Sequence, residues 1–315
     1  MSRPLASVVV PAYNEGPELG DNLAALARHL SAAQSPYDYE IIVVDDGSTD
    51  ETYETVQAAE PQIPGLRVVR HASNRGMGSA IRTGFAFAEG CVAVVYDSDL
   101  SYAPEIIPRL LEQLDRNGDD LVLASPYMRG GKVANVPLLR RFLSREANRF
   151  LCFATNGRYA TLTCMVRAYR LSFFRNVPST EPRMEVNPEL VFAAIKSGAR
   201  VSEIPAVLQW SPRRAKARAG LNVKRTLKQI ARTVRYGVSH RPAILLAIPG
   251  IMPGVLPLML TIMVLLHLSL ATIAMITAIT MVIQNVSLAL FAGQLAVFGR
   301  NTLRSARADV STTRR

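Results

Sequence analysis

Four apolar runs alternate with helix-periodic segments, and each run ends in a polar cluster. Residues 6–10 lead into Pro11-Ala12-Tyr13-Asn14-Glu15, and residues 40–44 into Asp45-Asp46-Gly47-Ser48-Thr49-Asp50. Residues 66–70 lead towards Asn74-Arg75-Gly76-Met77-Gly78, and residues 91–96 into Asp97-Ser98-Asp99. Between the first two runs, Leu19, Leu23, Leu26, Ala27 and Leu30 recur at helical spacing. A β-α-β-α alternation of this kind can bury its apolar strands only as a mainly parallel sheet covered by helices. Ligands then bind at the carboxyl ends of the strands, where these polar clusters fall.

The last cluster carries the most chemistry. Alternate side chains of an extended segment share a face, so Asp97 and Asp99 can both reach one site. Two carboxylates suit a hard divalent cation, which takes oxygen ligands and leaves positions for diphosphate oxygens. Aspartates are also ordinary turn residues, so the triplet has a plain alternative. Asp46 can accept hydrogen bonds from base N–H groups and Glu15 can bind ribose hydroxyls. The alternative for Asp46 and Asp50 is to cap the following helix. Gly76 and Gly78 admit close backbone approach to a ligand, or form a plain turn.

The first, second and fourth clusters, in this order and spacing, resemble family 2 glycosyltransferases of the GT-A fold over roughly residues 5–220. The resemblance implies a Rossmann-like α/β domain with helices on both faces of the sheet. It implies that Pro11, Tyr13, Glu15, Val44 and Asp46, with Asp97, Ser98 and Asp99, hold a UDP- or GDP-linked sugar. Asp97 and Asp99 would hold Mg2+ or Mn2+.

Charge divides the chain. Residues 1–211 carry 21 Lys/Arg and 24 Asp/Glu, a net of −3, while residues 212–315 carry 15 Lys/Arg and one acid, Asp309, a net of +14. Such asymmetry points to an acidic partner surface, nucleic acid or membrane. Residues 242–299 decide for the membrane, because they contain no Asp, Glu, Lys or Arg. One pass needs about 20 apolar residues. The stretch therefore predicts a two-helix transmembrane hairpin, with spans at about 243–266 and 271–297. Ten Lys/Arg precede the hairpin from Arg213 to Arg241, and five follow it. Basic flanks stay cytoplasmic. The expectation is an integral protein of the plasma (inner) membrane, with the catalytic domain and both termini cytoplasmic. Its parts are a domain over 1–220, a basic interfacial helix over 221–241, the hairpin over 242–299 and a basic tail over 300–315. The N-terminus carries no charged-then-apolar signal segment. Cys91, Cys152 and Cys164 are scattered and without metal spacing, as in a reducing compartment. Asn285 and the small residues of the second span offer a packing surface within one protomer or for a homo-oligomer.

A second basic amphipathic stretch covers 138–155. Leu139, Phe142, Leu143, Phe150 and Leu151 recur at helical spacing among Arg140, Arg141, Arg145 and Arg149. It either lies in the headgroup zone or packs on the catalytic core.

A family 2 domain followed by a hairpin is similar to the polyprenyl-phosphate sugar synthases, the group with dolichol-phosphate mannose synthases and undecaprenyl-phosphate glucosyl transferases. Arg141-Phe142-Leu143-Ser144-Arg145 resembles the group's R-x-x-S acceptor-phosphate segment, and residues 163–170 resemble its T-S-G-F-R-A-Y-R segment. The resemblance implies acceptor-phosphate contacts from Arg141, Ser144, Arg213 and Arg214, and a catalytic set of Asp97, Asp99 and Arg141. Departures are specific. Ser101 stands where the group often has a third metal ligand, Gln. Pro126 replaces an arginine, for which Arg129 can substitute. Ala160 and Thr161 stand where an acid is usual. The partners implied are a nucleotide sugar, a polyprenyl phosphate and membrane lipids, with no nucleic acid. A lipid phosphate is largely dianionic at neutral pH and needs no strong base, so Glu185 is either a sugar- or metal-facing group or a helix cap. Three rival functions remain at this stage: transfer to another lipid such as diacylglycerol, a processive polysaccharide synthase, and a noncatalytic membrane scaffold.

Overall fold

The computed structural model describes residues 3–154, 158–175, 177 and 179–210, with residues 269, 272, 274–279, 281 and 282 beyond them. The chain divides into two units, 1–234 and 235–315.

The first unit runs β1 (Leu5–Ala12), α1 (Glu18–Ala32), β2 (Asp38–Asp45), α2 (Thr52–Ala59), β3 (Leu66–Arg70), α3 (Met77–Phe87), β4 (Val92–Val95), α4 (Ile106–Asn117) and β5 (Leu121–Ser125). It continues with β6 (Lys132–Ala134), α5 (Leu138–Ala154), β7 (Arg167–Arg170), α6 (Leu171–Phe174), α7 (Val186–Lys196), β8 (Val201–Pro205) and β9 (Val207–Gln209). Seven strands form one sheet in the order β3-β2-β1-β4-β7-β5-β8. All neighbours are parallel except β7, which runs antiparallel to both β4 and β5. β6 and β9 form a small parallel pair.

Alternation along the strands builds two cores. Val8 and Val10 face one way, packing with Leu19, Leu23, Leu26 and Leu30 of α1 and with Leu110 and Leu114 of α4. Val9 faces the other way, among Ile81 and Phe85 of α3 and Leu190 and Val191 of α7. Both faces are thus covered, as the near-continuous apolar runs require. Gly84 lets α3 approach β1 closely: a Cβ there would fall 2.2 Å from Val9 Cγ1. The strand order turns at β1, with β2 and β3 on one side and β4 on the other. The loops leaving β1 and β4 therefore flank one crevice, the usual place for a ligand in such sheets.

The mainly parallel α/β sheet agrees with the sequence reading, as does a helix across the 138–155 stretch. Arg213, Arg214, the interfacial segment 221–241, the first span and the 300–315 tail lie outside the described residues. Of the second span, residues 274–279 are helical. Among the described residues no helix is long and apolar enough to cross a membrane.

Candidate active site

Three loops at the carboxyl ends of β1, β2 and β3 enclose a cleft of about 620 Å³, lined among others by Tyr13, Gly47, Ser48, Arg70, His71 and Asn74. Their polar groups are cross-tied. Asn14 adopts a left-handed conformation (φ 53°). It donates its N–H to Ser48 Oγ (3.0 Å), and its Oδ1 accepts from Thr49 N–H (2.9 Å). The N–H groups of Glu15 and Gly16 donate to Thr52 Oγ1 at 2.9 and 3.0 Å. Asp50 Oδ1, just before α2, accepts from Thr52 N–H (3.1 Å), and the N-cap residue of that helix is Glu51. Arg70 lies 3.2 Å from the wholly buried Asp45 Oδ2 and stacks 4.3 Å from the centre of the Tyr53 ring.

Asp46 is engaged within the fold. Its buried carboxylate accepts from His71 Nδ1 (2.7 Å), Arg75 N–H (2.9 Å) and Gly76 N–H (2.7 Å). A carboxylate on Nδ1 fixes the proton there, so in the neutral ring Nε2 accepts from Thr83 Oγ1 at 2.9 Å. Asp46 thus shapes the cleft by holding His71 and the 75–76 turn. Tyr13 lines the cleft and is 43% exposed. Pro11 and Val44 face each other in register within β1 and β2, and Val44 is wholly buried, so its side chain is core packing rather than ligand surface. Glu15 is half-buried in the β1 loop. His71 carried no motif in the sequence, and its role depends on partners 25 and 12 residues away.

Gly76 and Gly78 admit the chain itself. A Cβ on Gly76 would meet Pro182 O at 2.2 Å, and one on Gly78 would meet Glu181 O at 2.0 Å. The close backbone approach is to residues 181–182.

Asp97-Ser98-Asp99 leaves β4 directly beside β1. Asn22 of α1 donates to Ser98 O (3.0 Å), and Asp99 Oδ1 accepts from Ser101 N–H (3.0 Å). Leu100 is left-handed (φ 54°) and packs on the core, which fixes this tight turn. The buried Tyr96 hydroxyl donates to Tyr102 O. Burial pushes the Tyr96 phenol up, and the charges of Asp97, Asp99 and Glu105 add to the shift. Asp97 and Asp99 stay half-exposed. Among the described residues no cluster of three or more His, Cys, Asp or Glu could hold a metal. The candidate donors are the two carboxylates, with Ser101 next to them in the turn. Such an all-oxygen set fits a hard cation completed by ligand oxygens and water.

β9 docks on this turn: Gln209 N–H donates to Ser101 O (2.8 Å), and Tyr102 bridges to Leu208. α5 is held at one end. Asn148, 1% exposed, accepts from Leu162 N–H (2.9 Å) and Thr163 N–H (3.2 Å), and Leu151 is wholly buried. Its other end is open, with Leu138 74% and Phe142 60% exposed, beside exposed Arg141 and Arg145 and half-buried Ser144. Arg129 is exposed in the turn after β5. Behind this region, Glu203 accepts from Ala160 and Thr161 N–H, each at 2.8 Å. Burial pushes the Glu203 carboxyl up. Arg167 is wholly buried and donates to Asn187 O (2.5 Å) and Leu162 O (2.6 Å). Glu185 is buried at the entry to α7 and makes no side-chain cap bond.

Comparison with known proteins decides the family: Glycosyl transferase family 2 matches residues 7–177, more than half of the chain. The chain belongs to that family. The match spans the cleft, Asp97, Asp99, Arg141 and Ser144 of this family 2 glycosyltransferase. The chain is 41% identical over 141 residues to a dolichol-phosphate mannosyltransferase of Pyrococcus furiosus, covering 45% of this chain and 38% of that one. It is 37% identical to an undecaprenyl-phosphate 4-deoxy-4-formamido-L-arabinose transferase of Edwardsiella ictaluri, covering 63% and 58%. It is 30% identical to the polyprenol monophosphomannose synthase of Mycolicibacterium smegmatis, covering 71% and 84%. The chain thus spans 38% and 58% of the length of the first two relatives, under two thirds of each. The fold is shared with glucosyl-3-phosphoglycerate synthase of Mycobacterium tuberculosis, at TM-score 0.56 and 19% identity over 75% of this chain and 80% of that one.

Proposed function

We propose that this glycosyltransferase moves a sugar from a nucleoside-diphosphate sugar to a polyprenyl phosphate at the cytoplasmic face of a membrane. The observation that carries the reading is the Gln209 bond to Ser101. The chain enters its net +14 segment, beginning with Arg213 and Arg214, from a strand tied to the Asp97–Asp99 turn. The names of the relatives support the acceptor class. Exposed Met275, Ile279, Met281 and Val282 suit lipid contact, which supports the hairpin.

The residues act by holding and orienting. Tyr13 and the His71 side of the cleft receive the nucleoside. Asp97 and Asp99 hold a divalent cation, Mg2+ or Mn2+, which when bound offsets charge on the departing diphosphate. Arg141 and Ser144, with Arg129, Arg213 and Arg214, bind the lipid phosphate by charge-assisted hydrogen bonds. A phosphate oxygen, already anionic because its second pKa is near about 6, attacks the anomeric carbon. The bond to the diphosphate breaks in the same displacement, its electron pair leaves with the nucleoside diphosphate, and the anomeric centre inverts. Positioning and charge stabilisation supply the acceleration.

The test is a panel of labelled UDP- and GDP-sugars incubated with the purified chain and polyprenyl phosphate. Organic-soluble label is the expected outcome. Label transferred only to a lipid alcohol such as diacylglycerol overturns the acceptor.

A further inference from the structure

Arg183, far from Arg75 in sequence, brings its stem to Gly76, the residue next to Arg75. Residues 179–185 form a strap across the first turn of α3. Pro182 O accepts from Gly78 N–H (2.9 Å), and Arg82 donates to Glu181 O (3.0 Å) and Ser179 Oγ (3.2 Å). The Glu189 carboxylate of α7 accepts from the N–H groups of Thr180 (2.9 Å) and Glu181 (3.2 Å). The strap is thus fixed from both sides. It lays the Arg183 stem against the 75–76 turn, with Cγ 3.6 Å from where a Gly76 Cβ would stand. The same turn is held from beneath by Asp46 through the N–H groups of Arg75 and Gly76.

Both arginines are exposed. Among the described residues neither guanidinium has a hydrogen bond or an ion pair. On β3, by contrast, Arg70 is paired with Asp45 and Arg67 with Glu89. Two exposed, unpaired arginines carried on one turn and on the strap that packs against it offer a place for an added anion. That place is the rim of the cleft, since Ser73 and Asn74 line it and Arg75 follows them.

We propose that Arg75 and Arg183 form a two-arginine clamp on the diphosphate of the nucleotide donor, with the 179–185 strap holding the second arm in place. The proposal rests on the nucleotide-sugar reading above. It assigns the G-x-G pair a purpose, because only glycines at 76 and 78 let the strap come close enough to deliver Arg183.

Calorimetric titration of the purified full-length chain tests it with UDP, GDP, uridine, guanosine and geranyl phosphate. For the base that binds, Arg75→Ala and Arg183→Ala should each weaken the diphosphate by about 10- to 100-fold, the usual effect of losing a charge-assisted bond. The nucleoside should bind as before, and Arg183→Lys should recover part of the loss. Equal losses for nucleoside and diphosphate would mean that the arginines only shape the loop, and would overturn the clamp. So would unchanged diphosphate binding, or a loss confined to geranyl phosphate, which would give the pair to the acceptor. If the wild-type chain binds neither diphosphate, the nucleotide-donor reading fails with it. Failure of the clamp alone appears only in the variants.

Discussion

The donor side and the acceptor side of this domain are built on opposite plans. Around the cleft, the loops after β1, β2 and β3 satisfy one another: Asn14 with Ser48 and Thr49, Asp46 with His71 and the 75–76 turn, Asp45 with Arg70. Arg75 and Arg183 stand out there as unpaired. On the acceptor side, Asn148 and Leu151 anchor α5 towards its C-terminal end. Its other end presents Leu138, Phe142, Arg141 and Arg145 with no ion-pair partner among the described residues. A prearranged polar cleft suits a small ligand of fixed shape, because its groups are ordered before binding. Exposed cations beside exposed apolar groups suit a ligand that is itself amphiphilic.

The largest effect is expected where the two sides meet. Asp99→Ala should lower the transfer rate by about 10²–10³-fold or more, because charge stabilisation of the leaving group is the main source of acceleration. The nucleoside should still bind, since the cleft loops are tied to one another. Full turnover by this variant with divalent ions chelated rejects the metal-assisted reading.

Asp46→Ala attacks the donor side alone. It orphans His71 Nδ1 and two backbone N–H groups at a site 4% exposed. The expected cost is about 3 kcal/mol, from stranded buried donors at about 1–3 kcal/mol each. Denaturant unfolding should show it, together with weaker nucleoside binding. A variant as stable as the parent would mean that the cleft does not depend on this carboxylate.

Arg141→Ala attacks the acceptor side alone. The side chain is exposed on the open end of α5, so stability should hold. Transfer to polyprenyl phosphate should fall by about 10-fold through KM for the lipid, with nucleotide affinity unchanged. Loss of nucleotide affinity instead would merge the two sides.

The same contrast governs what could be read in advance. The apolar runs gave β1 to β4 within one or two residues at each end, because burial on both faces of a parallel sheet leaves no other pattern. Leu19, Leu23, Leu26 and Leu30 gave α1 for the same reason. The carboxylate turn was visible because two aspartates follow a strand. Single polar residues with remote partners were not visible: His71 needs Thr83, Asn148 needs the 162–163 backbone, and Glu203 needs Ala160 and Thr161. β7 was hidden too. Arg167-Ala168-Tyr169-Arg170 does not read as a central strand until Arg167 is seen to bond two carbonyls in the interior. Gly76 and Gly78 showed that something approaches closely, and only the fold shows that it is the strap.

The smallest perturbation asks how firmly α5 is docked. Cys152 sits on the anchored half of that helix, and burial pushes its thiol up to about 12. Cys164 is buried and its thiol is also raised by burial, while Cys91 is exposed. Only thiolates react with iodoacetamide. At about pH 8 the folded chain should therefore be alkylated at Cys91 and spared at Cys152 and Cys164, with all three modified after denaturation. Asn148→Ala removes the anchor of α5, so Cys152 should become reactive while Cys164 stays protected. If Cys152 reacts as fast as Cys91 in the parent chain, the anchored half is as open as the half bearing Phe142. The acceptor side would then lack the fixed hinge that places Arg141 and Ser144.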